Sequence, residues 1–90
     1  MPTVLQVSGD YQRTTSGFVD GETVTPSDSN NFAKGVTRAI WVGGAGNVAV
    51  VTASGTVLTF VGVPAGYMLV GQITRVNSTN TTATNMLALY

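Results

Sequence analysis

The chain has 90 residues with no cysteine and no histidine, which leaves out disulfides and most zinc or haem chemistry. A domain this small buries only roughly 60–65% of the surface its unfolded form exposes, so association with other subunits is the remaining source of added stability. Charged residues make up 9% of the chain and the net charge is zero, against about 25% charged residues in an ordinary soluble domain; this balance predicts self-association and excludes the basic stripe on which nucleic-acid affinity rests.

The N-terminal third is polar. Met1 to Val7 is predicted as a strand, and Ser8 to Gly35 is rich in Ser, Thr, Asn, Asp and Gly. All four acids (Asp10, Asp20, Glu22 and Asp28) lie here, with Arg13 as an early counter-charge. Within this region Gly17-Phe18-Val19 and Glu22-Thr23-Val24-Thr25 are candidate short strands. A stretch of this length without structure is unusual inside a small domain, so the alternative is an arm ordered against a neighbour. The expected organisation is therefore a strand and polar arm over 1–35 and a body over 36–90, within one domain.

The body is written in strand residues. Valine and threonine each occur 14 times, and both are stiff at χ1 and favour extended backbone. Residues 36–42 predict a strand with Val36, Ile40 and Val42 on one face and Thr37 and Trp41 on the other. Gly43 to Asn47 predicts a hairpin turn, with Val48 to Thr52 returning. Ala53-Ser54-Gly55 is a second turn and Thr56 to Val61 a third strand. Gly62-Val63-Pro64-Ala65-Gly66 is a third turn, followed by a long strand over 67–76 with a bulge or bend at Gly71. Asn77 to Asn80 is a polar turn, and Thr82 to Tyr90 a last strand. The pattern predicts an all-β, antiparallel sandwich or barrel of about six to seven strands joined by hairpins.

Between Arg38 and Arg75 no residue is charged, and mean hydropathy over the whole chain is +0.26. Glycines, Pro64 and threonines interrupt that stretch, so it holds no 18-residue apolar run of the kind a transmembrane helix needs. No basic segment precedes Val4-Leu5, so no secretory signal is expected. Neither membrane nor nucleic acid is an expected partner.

Chemistry-bearing patterns are few. Gly44-Ala45-Gly46-Asn47-Val48-Ala49 fits a loose dinucleotide-loop spacing, but strand residues follow it where a helix N-terminus would be required. Nucleophilic catalysis needs a base near the nucleophile, and four carboxylates and Lys34 are poor material for one, so no catalytic residue and no enzyme activity are expected. Asp20-Gly21-Glu22 lacks the oxygen ligands of a calcium loop; no metal and no cofactor are expected. Asn77-Ser78-Thr79 and Asn80-Thr81-Thr82 fit glycosylation sequons, and the threonines there suggest an ice-binding array without its strict spacing. Trp41, Tyr11, Tyr67 and Tyr90 are candidate contact aromatics, with a sugar platform as the alternative.

Val24-Thr25-Pro26-Ser27-Asp28, Arg38 to Val48, Phe60 to Gly66 and Thr81 to Tyr90, taken in that order, resemble the head spike base proteins of gene transfer agents and related tailed-phage virion proteins. The resemblance spans residues 24–90. It implies a non-enzymatic virion protein made in the bacterial host cytoplasm and carried on the capsid exterior, as a spike base or a decoration (cement) protein. The partners it implies are the major capsid protein, further copies of the chain as a trimer or pentamer, and a fibre protein. Candidate capsid or subunit contacts are Asp10, Asp20, Glu22, Asp28, Trp41, Tyr67 and Tyr90. The rival reading is a small carbohydrate-binding β-module.

Overall fold

The computed structural model describes residues 17–90; the strand expected over 1–7, Asp10, Tyr11 and Arg13 lie outside that range. Seven strands form: β1 (Gly21–Thr23), β2 (Ala39–Gly44), β3 (Gly46–Thr52), β4 (Val57–Val63), β5 (Tyr67–Val70), β6 (Ile73–Val76) and β7 (Thr84–Leu89). They build two antiparallel sheets, one ordered β1-β7-β2-β5 and the other β4-β3-β6. The architecture is an all-β sandwich, as the strand-forming composition predicts.

Alternation along each strand sets the core. Ile40 and Val42 of β2, Met86 and Ala88 of β7 and Leu69 of β5 turn inward from one sheet, and Val48 and Val50 of β3 and Val76 of β6 meet them from the other. Ile40, Val42, Val48, Val50 and Val76 are fully buried, and each such side chain contributes about 1.5–3 kcal/mol on burial. The polar first third takes part: β1 pairs with β7, and Val24 enters the same apolar cluster.

Three expectations need correction. The first strand begins at Ala39 and not at residue 36, so its alternation does not extend back. Thr37 is buried and Val36 exposed, the reverse of the predicted faces. Thr37 is drawn inside because it holds the chain at a corner. Its N–H donates to Ile73 O at 3.0 Å, its hydroxyl donates to Gly71 O at 3.2 Å, and its Oγ1 accepts the Ile73 N–H at 3.2 Å.

The glycine run 43–47 is not a hairpin turn. β2 and β3 lie in different sheets, so the chain passes from one layer to the other at Ala45. What the glycines provide is room: a Cβ on Gly46 would sit 2.5 Å from Ala83 N and 2.8 Å from Ala83 Cα. Residues 82–83 lie against this corner, where both their N–H groups donate to Asn47 O, at 2.9 and 3.1 Å.

The long strand expected over 67–76 is two strands. β5 belongs to the first sheet and β6 to the second, and the expected bend at Gly71 is where the chain changes layer. The one hairpin between consecutive described strands is β3–β4, closed at Ala53-Ser54-Gly55 as predicted, with Gly55 at φ +91° in a region side-chain-bearing residues avoid.

Candidate interaction surface

The two lateral sides of the sandwich are finished differently. On one side, β6 is covered by the segment entering β2: Ser27 N donates to Val76 O at 2.9 Å and Phe32 N to Thr74 O at 2.9 Å. Phe32 also packs on the core. On the other side lie the edge strands β4 and β5, one from each sheet. No described residue pairs with their outer edges.

Register shows why this side is open. Phe60 and Leu58 stand opposite Val48 and Val50 and so share their inward direction, yet Phe60 is 37% and Leu58 43% exposed. They face the core without being sealed in it. On the other face of β4, Val57 and Val61 are exposed, as are Tyr67, Met68 and Val70 of β5. Two apolar clefts of about 330 and 360 Å3 run between the strands and share Phe60 as a wall. Edge strands in natural proteins are ordinarily blunted by charge or cover; among the described residues, β4 and β5 carry neither. Exposed apolar surface of this kind marks an interaction site.

The predicted contact residues within the described range fall in four places. Asp20, Glu22 and Tyr90 come together where β1 meets the end of β7. Lys34 Nζ lies 2.9 Å from Asp20 Oδ2, and Gly21 N donates to Asp20 Oδ1 at 2.8 Å. The Lys34 hydrogen bond, then the Gly21 N–H, hold the Asp20 carboxyl below the usual carboxylate range, and the same pairing raises Lys34. The Tyr90 hydroxyl donates to Glu22 Oε1 at 2.5 Å; burial, and then that bond to Glu22, push the phenol well above its ordinary value. Asp28 stands apart, accepting the Thr79 hydroxyl at 2.6 Å and the Thr79 N–H at 2.9 Å, with the hydroxyl the larger cause of its lowered pKa. These three carboxylates each hold a partner within the chain.

Trp41 is half-buried on the outer face of its sheet, in one row with Met68 and Leu87. Tyr67 is the one predicted contact residue that lines the β4–β5 clefts. The threonine-rich end is spent on structure: Thr81 Oγ1 accepts the Ala49 N–H at 3.0 Å and Thr82 Oγ1 the Asn47 N–H at 2.8 Å. The residues that sequence reasoning missed are Leu58, Phe60, Val61 and Val70. The absence of charge from Arg38 to Arg75 was the available signal, and it covers all of β4 and β5.

The described residues thus form a small sandwich with one uncharged, apolar edge that none of them covers. No protein-family profile matches the chain, and no curated protein matches it. Among solved structures, a chain from "Capsid of native GTA particle computed with C5 symmetry" is similar at a TM-score of 0.74 and 33% sequence identity, over 83% of this chain and 86% of that one. The chain belongs to the family of that gene transfer agent particle protein, a family of phage-type virion proteins.

Proposed function

We propose that the protein is a structural component of a phage-like particle, seated on the capsid exterior as a spike base or decoration protein. It binds the major capsid protein, associates with further copies of itself and holds a fibre. It acts by packing and not by catalysis. The observation that carries this reading is the 33% identity to a chain of a gene transfer agent capsid, sustained over 83% of this chain. The open β4–β5 side supports it, since a chain with 9% charged residues and no net charge is poorly suited to a free monomeric existence.

The test is composition and accessibility of purified particles. The chain is expected in stoichiometric amounts on a gel and accessible to an antibody on intact particles. Particles that lack it, or that expose it only after disruption, would contradict the reading. A fibre partner is tested by co-purification from particles dissociated under mild conditions.

A further inference from the structure

The β3–β4 ladder sets the direction of the main-chain groups on the free edge of β4. Ala49 N donates to Thr81 Oγ1 at 3.0 Å, and Ala49 O accepts the Asn77 N–H at 2.8 Å. Both main-chain groups of Ala49 therefore turn away from Thr59, the residue opposite it on β4. Such a pair is a non-hydrogen-bonded one, so Thr59 N–H and C=O point outward from the sheet, as do those of Val57 two residues earlier. Beyond Val61 a bulge ends the regular edge: Gly62 sits at φ +71°, and its N–H donates to Asn47 Oδ1 at 3.0 Å.

Among the described residues β4 is also the longest edge left unpaired. It has seven residues, against three in β1 and four in β5, and the β6 side is covered at Ser27 and Phe32. The regular part of β4 reads Val57-Leu58-Thr59-Phe60-Val61. In apolar character it is a palindrome about Thr59, with a valine at each end and one large side chain on either flank.

We propose that the β4–β5 side is a self-contact, in which β4 pairs antiparallel with β4 of a second copy about a twofold axis at Thr59. The inference rests on the reading above that copies of the chain associate, and it names the surface and the register. The two copies of Thr59 exchange N–H···O bonds across the axis. Val57 then stands opposite Val61 of the second copy, and Leu58 opposite Phe60, so the side chains that face inward without being sealed cover one another.

Charge, area and geometry select a second copy as the occupant. A twofold contact sets each patch on itself, which like charges would oppose; residues 39–74 carry none. The seven large apolar residues of β4 and β5 that stand 37–85% exposed present on the order of 700 Å2, close to the roughly 800 Å2 each partner gives a stable interface. A twofold axis normal to the sheets brings β5 beside β5 as well, so both strands contribute. A head-to-tail contact would need a second free edge of matching length, and the described residues offer none.

The experiment uses the purified full chain and three variants in native mass spectrometry. The full chain is expected at twice the mass of one chain. Because it has no cysteine, a single introduced thiol reports the register. T59C brings two Cα atoms to about 5.5 Å, within disulfide range, and mild oxidation is expected to link it into covalent dimers. V57C, whose two copies would lie about 13 Å apart along the joined strands, is expected to stay unlinked. T59P removes an outward N–H that the β3 ladder does not use, a position where an edge strand tolerates proline. It is expected as single chains with an unchanged circular dichroism spectrum; should it fail to fold, T59C decides alone. A monomeric full chain, a trimer or pentamer, T59C linking no better than V57C, or a folded T59P that remains dimeric would each overturn the inference. None of these outcomes changes whether the protein is found in particles, so the two readings fail separately.

Discussion

At the scale of single residues, Thr37 and Asp28 show polar side chains tying together parts of the chain that sequence separates. Thr37 is 1% exposed, and its hydroxyl both donates and accepts at the corner where β5 gives way to β6. Thr37→Val keeps the shape but leaves the Ile73 N–H without its side-chain acceptor. A buried donor left unpaired costs about 1–3 kcal/mol, so urea denaturation of this variant should show a loss of that size. Asp28 ties the first third to the turn at Thr79. Its folded pKa is lowered by the Thr79 hydroxyl and N–H, so its contribution is present above the unfolded carboxylate value near 4 and is lost as pH falls through the lower folded value. Asp28→Asn should flatten the decline of melting temperature on acidification below about pH 4; an unchanged decline would show that this contact adds nothing.

At the scale of elements, strand identity was legible and strand partnership was not. The alternation of Ile40 and Val42, the β3–β4 hairpin with Gly55 at its turn, and the all-β class all follow from local pattern. The other glycine-bearing breaks, at 43–47, 62–66 and around Gly71, looked like turns and a bend within one sheet and are passages between sheets. The physical reason is that glycine licenses a change of direction without saying where the chain goes next; the destination depends on long-range packing, here of residues 82–83 against Gly46. Gly46→Ala tests that account. Its new Cβ would collide with backbone at Ala83, and overpacking of this kind costs about 1–3 kcal/mol. Thermal unfolding should register it as a clear drop. Val61→Lys, on an open edge, should leave the melting temperature nearly unchanged when measured at a concentration where the chain is monomeric.

The candidate site divides in the same way. Tyr67 was legible as an exposed aromatic, but the openness of Leu58 and Phe60 was not, because both point toward the core. They are exposed since the sandwich stops at β4 and β5, which no local pattern records. The acids gave the opposite lesson. Asp20, Glu22 and Asp28 stand in turn-like sequence as a docking surface would, yet each is engaged within the chain by Lys34, Tyr90 and Thr79 respectively.

At the scale of the whole molecule, the described residues combine low charge, small size and one side that none of them seals. The covering segment 27–37 completes the β6 side, and in the proposed reading partner chains complete the β4–β5 side. Because that side is uncharged, association through it should survive a rise in salt from about 0.1 to about 1 M, conditions that screen exposed ion pairs almost fully; sedimentation velocity at the two ionic strengths checks this. Dissociation at high salt would point to the charged β1 end instead.

The central claim is that this chain is a structural part of a phage-like particle. A reconstruction of the purified particle tests it most directly. Density for this sandwich is expected on the outer surface of the capsid, in several symmetry-related copies whose β4–β5 sides are covered by protein. A complete particle map with no such density, alongside this chain recovered only free of particles, would contradict it.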